Sequence, residues 1–241
     1  MPGEIFTATL TSARIVAPEV REIVLQPLLP EPFAYRPGQW ISLRLPVGDR
    51  PPLIRAYSMA TPPRRDGSLV LTFDRVAGGL GSGYLWDVAV GETLEFSGPL
   101  GNFALPEAGD VLMIAHYTGI VPFRAMILAA PGDDAFAASG RRIRLIYTAD
   151  RAEDQAYSDE LTENSRANSW FEYFPITAGE GDPAPAVIAF LRANGHAWMP
   201  FTPLVCGIRD FTFPVRAALM EAFGFGRREV KVENYNGPSA A

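Results

Sequence analysis

Near residue 105 the sequence changes texture, and that change constrains the fold more than any other feature. Upstream lie short segments that alternate or run apolar and β-branched: 5–10 (IFTATL), 20–25 (VREIVL), 40–45 (WISLRL), 68–76 (SLVLTFDRV) and 92–96 (ETLEF). Turn-rich pieces separate them, at Pro27 to Pro37, Gly48 to Pro52, Pro62 to Gly67 and Gly78 to Gly83. Many short strands punctuated in this way predict an antiparallel barrel or sandwich. Downstream, apolar runs at 111–115, 143–147, 170–174, 203–206 and 229–233 alternate with helical periods. The first helix is expected to open near Gly119, with Pro122 in its first turn and Ile120, Phe123, Ile127 and Ala130 on one face. Further helices fit 155–166, 184–194 closed by Gly195, and 212–223 closed by Gly224, the last with Thr212 as N-cap and Pro214 just inside. Strand and helix alternating in this manner predict an open parallel sheet with helices on both faces. The expectation is therefore two domains, an antiparallel β-barrel over 1–105 and an α/β open parallel sheet over 106–241.

Composition narrows the function classes. Hydrophobic residues make up 48% and charged residues 20% of the chain, far from the signature of disorder. The net charge of −6 argues against a nucleic-acid binder, which needs a basic surface to neutralise phosphates. Cys206 is the one cysteine, so an internal disulfide is excluded, and so is an iron–sulfur cluster or zinc site ligated by cysteines of this chain alone. With two histidines, side-chain metal chemistry is also not expected. No apolar run approaches the roughly 20 residues that cross a bilayer, and the first residues lack the basic-then-apolar layout of a secretory signal. A cytoplasmic protein without membrane insertion is the resulting expectation.

Two segments of the first half carry residue types suited to one kind of ligand. Arg55-Ala56-Tyr57-Ser58 follows a proline-rich turn, and Gly78-Gly79-Leu80-Gly81-Ser82-Gly83-Tyr84-Leu85 lies about 20 residues downstream. An arginine offers a planar fork of donors to phosphate oxygens, a tyrosine a flat face to an aromatic ring, and a serine a small hydroxyl. Glycines let backbone N–H groups approach a phosphate, Ser82 adds a hydroxyl donor, and a helix starting there presents its positive end. Together with Pro37-Gly38-Gln39-Trp40 and the run Gly91 to Phe103, in the same order, these segments resemble the R-x-Y-S and G-G-x-x-S-x-Y-L flavin elements of the ferredoxin–NADP reductase superfamily. The resemblance implies FAD on the barrel, contacted by Arg55, Ala56, Tyr57, Ser58, Gly79, Gly81 and Ser82, with the Ser58 hydroxyl near the reactive flavin nitrogen. It also implies that residues 106–241 form a domain of the NAD(P)-binding type.

The second half follows the same family with departures. Where relatives carry a glycine pair before T-G, this chain reads His116-Tyr117-Thr118-Gly119, which keeps the helix start but places a large ring beside the turn. The stretch Tyr147 to Leu161 resembles the segment that binds the adenosine end of a nicotinamide cofactor, but Asp150 occupies the usual arginine position and Arg151 follows it. A carboxylate there accepts bonds from a ribose 2′-OH and repels a 2′-phosphate, which leans toward NADH over NADPH. The alternative is that Asp150 and Arg151 form a solvated helix entrance. Cys206-Gly207-Ile208-Arg209-Asp210-Phe211 and the terminal Glu233-Asn234-Tyr235-Asn236-Gly237 resemble the family's C-G-x-x-x-M and closing E-x-aromatic elements. By that resemblance Cys206 lies near the nicotinamide and Tyr235 approaches the flavin, while a small buried strand residue remains the other reading of Cys206.

Two functions follow as expectations. In the first, NADH or NADPH delivers hydride to FAD, and the electrons pass on to a protein carrier such as ferredoxin or an iron–sulfur oxygenase component. In the second, suggested by His116-Tyr117, the chain is a flavin-bearing electron conduit of a larger complex that no longer uses a free nicotinamide cofactor, and Tyr117 obstructs its path.

Overall fold

The computed structural model describes residues 4–48, 51–198 and 200–235. It divides into two compact units, one comprising residues up to Ala104 with Val121–Ala129, the other Leu105–Ile120 and the residues from Ala130 on.

In the first unit, β1 (Phe6–Ala17), β2 (Val20–Pro27), β3 (Trp40–Leu45), β4 (Leu53–Ser58), β5 (Leu69–Asp74) and β6 (Thr93–Leu100) pair antiparallel in the order β4-β3-β6-β1-β2-β5. Among the described residues one isolated bridge, Met59 to Leu71, spans the seam between the end strands and no ladder closes it, so the sheet is barrel-like. Period-two patterning sets its core: Ile41, Leu43 and Leu45 of β3 are buried and their neighbours half-exposed. Leu10, Ile23, Leu25, Leu69, Leu71 and Phe96 complete that core. Helix α1 (Leu80–Asp87) lies between β5 and β6 in sequence. Arg21 of β2 satisfies its C-terminal carbonyls, donating to Leu85 O at 2.7 Å, to Trp86 O, and to Val88 O at 3.1 Å.

In the second unit, β7 (Val111–His116), β8 (Ile143–Ala149), β9 (Phe171–Thr177), β10 (Thr202–Ile208) and β11 (Lys231–Tyr235) are parallel, in the order β11-β10-β7-β8-β9. The chain runs outward from β7 through β9, then returns to place β10 on the other side of β7. The strand order therefore reverses between β7 and β10, and in open α/β sheets ligands bind beyond the carboxyl ends of the strands at such a switch point. Helix α2 (Ile120–Ala129) follows β7 in sequence but from Val121 on groups with the first unit, and the helices of the second are α3 (Asp134–Ser139), α4 (Ser158–Ala167), α5 (Ala184–Asn194) and α6 (Arg209–Phe223). Val187 and Leu191 of α5 and Phe211, Val215 and Leu219 of α6 bury Leu112, Ile114, Ile146 and Val205 of the sheet. Among the described residues no helix is long and apolar enough to cross a membrane.

The structure corrects several local expectations. Helix α6 begins at Arg209, three residues before Thr212, so Thr212 is not its N-cap and Pro214 lies inside it. The first turn is fixed by the fully buried Phe211, and Thr212 instead turns its hydroxyl to Arg209 O (3.3 Å) and to Asn234 Oδ1. Helix α4 starts at Ser158 rather than 155 because Tyr157 takes a left-handed conformation (φ 63°). Strand β1 extends to Ala17, well past the apolar alternation, because bulges at Leu10/Ser12 and Ile15/Ala17 keep it paired with β2. Helix α3, unanticipated, is bounded by Asp133, whose carboxylate accepts from Phe136 N–H (3.1 Å), and by Gly140 (φ 65°).

Arg141 ties the segment leading into β7 to the start of β8. Its guanidinium donates to Gly109 O (2.7 Å), Glu107 O (3.2 Å) and Pro106 O (2.7 Å) from a buried position. Its neighbour Arg142 pairs with Asp110 at 2.7 Å in the open. Arg141→Ala should cost about 2–3 kcal/mol of stability, since it strands carbonyls that had a charged donor. Arg142→Ala should cost under about 1 kcal/mol. Urea unfolding of the two variants measures the contrast.

Candidate functional site

The residues singled out in the first half meet on β4 and the first turn of α1. Residues 54–56 of β4 are exposed in succession, where a barrel strand with one face in the core would alternate. Arg55 projects from this stretch with Nη1 on Ile54 O (2.8 Å), and Ala56 lies beside it. Tyr57 is half-buried, edge-on to Phe73 (5.9 Å, 67°), and burial raises its phenol pKa. Ser58 is buried at the strand's end. A Cβ on Gly81 would stand 3.1 Å from Leu45 Cδ1, 3.3 Å from Leu53 Cδ2 and 3.4 Å from Arg55 Cγ. The helix start is thus seated against the β3–β4 hairpin, which brings together two motifs distant in sequence. Gly79 precedes the helix. The Ser82 hydroxyl accepts from Val76 N–H (3.0 Å) and faces Gly79 O (3.4 Å), so it closes the turn, and the outward donors here are backbone N–H groups of the first helical turn. An arginine, a helix N-terminus and an exposed strand edge beside a tyrosine ring suit a ligand with a diphosphate and a flat aromatic system, so the residues present fit FAD.

In the second unit, the candidates gather at the carboxyl edge of the sheet around the switch point. Gly119 packs so closely on β10 that a Cβ there would fall 2.3 Å from Cys206 O and 2.7 Å from its carbonyl carbon. Thr118 and Gly119 are buried in a 3-10 turn that leads into α2. Cys206 is fully buried, and burial pushes its thiol pKa well up, with Glu233 adding to the shift and a hydrogen bond with Tyr235 opposing it. Cys206 and Tyr235 are thereby brought together across the β10–β11 pair. Asn236 and Gly237 of the terminal motif lie outside the described residues.

Asp150 and Arg151 follow β8 and part company. Asp150 O accepts from Gly179 N–H (3.1 Å), which pins the loop to the end of β9. Arg151 forms a bidentate pair with the buried Asp154 (2.9 and 2.8 Å) and also meets Glu153 (3.3 Å). Its guanidinium is therefore committed within the turn, while Asp150 faces Tyr117. Tyr117 has φ 47° and stands edge-on to His116 (4.7 Å, 89°).

Sequence reasoning missed how His116, Phe211 and Thr148 cooperate. His116 is stacked on Phe211 (5.0 Å, 28°) and pairs in register with Thr148. His116 Nδ1 and Thr148 Oγ1 are both buried without a hydrogen-bond partner. A detectable signal was present, since His116 is the one polar residue of β7 and Thr148 follows the apolar run Leu145–Tyr147 of β8. Burial lowers the His116 pKa to about 4, with Asp150 and Asp182 opposing the shift. An unfolded chain takes up this proton near pH 6.5 and the folded one not until about pH 4, so stability falls as pH drops through that window. The wild type should lose about 2–3 kcal/mol more than His116→Gln between pH 7 and pH 4, as read from denaturant unfolding at each pH.

Comparison with known proteins places this geometry in a family. Residues 7–105 match the family described as "Oxidoreductase FAD-binding domain". The chain is 30% identical over 248 residues to "Ferredoxin--NADP reductase B" of Sorangium cellulosum, covering 97% of this chain and 99% of that protein. It is 32% identical over 187 residues to the "Aromatic O-demethylase, reductase subunit" of an Amycolatopsis species, covering 74% of this chain and 53% of that one. It likewise spans about half of several other oxygenase reductase components. Among solved structures, the Amycolatopsis cytochrome P450 reductase GcoB superposes with a TM-score of 0.78 at 27% identity, over 99% of this chain and 72% of that one. The ferredoxin–NADP+ reductase of Plasmodium falciparum shares the fold, with a TM-score of 0.81 at 16% identity over 96% of both chains. The barrel-like antiparallel sheet, the parallel sheet with its switch point and the match along nearly the whole Sorangium protein agree: this chain belongs to the ferredoxin–NADP reductase superfamily.

Proposed function

We propose that the chain is an FAD-dependent reductase that moves electrons between NAD(P)H and a protein carrier, either a ferredoxin or an iron–sulfur oxygenase component. The observation that carries this reading is the convergence of Gly119, Cys206 and Tyr235 at the β7–β10 switch point. Similarity to the Sorangium reductase over its full length supports it. In this reading residues 1–105 hold the flavin, residues 106–241 hold the nicotinamide cofactor, and the protein works in the cytoplasm.

Bound FAD supplies a centre that takes two electrons as hydride and releases them singly. The chain's own part is to bind, orient and exclude water. Arg55 and the first-turn N–H groups of α1 hold the diphosphate, Tyr57 offers its ring, and Ser58 its hydroxyl. Cys206 contributes a small wall rather than a nucleophile, because burial keeps its thiol protonated. Asp150 receives a ribose hydroxyl, and with Arg151 committed to Asp154 no free guanidinium beside it answers a 2′-phosphate, so NADH is favoured over NADPH. The second reading, a flavin-bearing conduit without a free nicotinamide cofactor, is favoured by one observation, the half-buried Tyr117 as first residue of the turn that leads into α2.

The protein should purify yellow with one FAD per chain, and Arg55→Ala should weaken FAD binding by about 1.5–3 kcal/mol through loss of a charge-assisted contact. A colourless protein that takes up no FAD on titration would refute the flavin assignment. Anaerobic mixing with NADH should bleach the flavin band faster than NADPH does at equal concentration. A flavin that dithionite bleaches and neither nucleotide touches would favour the conduit.

A further inference from the structure

Tyr117 has an uncommon backbone for its type. A non-glycine residue at φ 47° sits in the left-handed region, at a cost of roughly 1–2 kcal/mol, and such outliers cluster at functional sites. Nothing in the core requires the ring, which is only half-buried. It is nevertheless propped in place, edge-on to His116, which is itself stacked on Phe211. The register of β7 and β8 pairs His116 with Thr148, so Tyr117 and Asp150 follow the carboxyl ends of adjacent strands. There the Tyr117 phenol hydrogen-bonds to Asp150. Burial and the Asp150 carboxylate push the phenol pKa up to about 12, so it remains a donor at neutral pH.

A phenol O–H on a carboxylate is the same contact that a ribose hydroxyl would make. We propose that Tyr117 is a selectivity residue whose phenol occupies Asp150 in competition with the adenosine ribose, so that this unit discriminates against the adenosine half of a dinucleotide while leaving the nicotinamide half unaffected. The inference rests on reading this edge as the dinucleotide site, but it does not depend on hydride transfer taking place. Tyr117 is itself the first residue of the turn that leads into α2, where a diphosphate would meet backbone N–H groups, so ring and hydroxyl oppose the same half of the ligand. Removing the hydroxyl alone frees Asp150, and removing the ring also opens the turn.

Titration calorimetry on the FAD-loaded full chain tests this with two probes, ADP-ribose and nicotinamide mononucleotide. Tyr117→Phe should bind ADP-ribose about tenfold tighter than the wild type, and Tyr117→Gly at least as tightly as Tyr117→Phe. Mononucleotide affinity should change less than about twofold in either variant. Both variants should fold, since one keeps the ring and the other relieves the positive φ. Unchanged or weakened ADP-ribose binding in both variants would overturn the proposal, as would undetectable binding throughout or a parallel gain for the mononucleotide. A wild type whose flavin NADH cannot reduce, combined with the expected gain in ADP-ribose affinity, would remove the reductase reading and leave the role of Tyr117 standing.

Discussion

The second unit depends on one contact between backbones, the approach of Gly119 to the Cys206 carbonyl. With 2.3 Å between a would-be Cβ and that oxygen, no side chain fits, and any larger residue would force β10 away from the turn that follows β7. The switch point exists because this turn lies flat against β10. Its other properties follow from that closeness: the Cys206 thiol is sealed from water, Tyr235 reaches it from β11, and His116 is caught between the turn and the first residues of α6. A glycine suited to an approaching anion is here also required by packing. The two demands are compatible, because a bare backbone serves both.

The first unit solves a similar problem with Gly81. The start of α1 must lie close to the β3–β4 hairpin for its N–H groups to stand near Arg55, and the absent side chain makes room among Leu45, Leu53 and Arg55. The three exposed residues of β4 then form a surface that an aromatic ligand can cover. Arg21, far from this surface in sequence, anchors the other end of the helix. A short helix with weak amphipathic character is thus fixed at both ends, by close packing at its start and by a guanidinium on its last carbonyls.

Asp150, Arg151 and Tyr117 show how neighbours in sequence take unrelated roles. Arg151, one place after the usual arginine position, is claimed by the buried carboxylate of Asp154 through two hydrogen bonds. Asp150, one residue earlier, has its carbonyl tied to Gly179. The ring of Tyr117 then finds Asp150 as its partner. The ties of Asp150 to Gly179 and to Tyr117 depend on distances across strands that no spacing in the sequence reveals.

Periodicity alone determined the two-part architecture, the antiparallel and parallel characters of the sheets, and most strands to within a few residues, since burial on one face or both leaves its mark on every second or every third and fourth residue. The motifs likewise located β4, the start of α1 and the turn after β7. The start of helix α6 escaped because Thr212 and Pro214 form a plausible local start signal, and the burial of Phe211 against the sheet outweighed it. Tertiary structure also decided that Ser82 closes a turn, that Cys206 stays protonated, and that Tyr117 lies on Asp150. The physical reason is that a side chain's role is set by what it touches, and for Cys206 and Tyr117 those contacts come from β7, β8, β10 and β11, which only folding brings side by side.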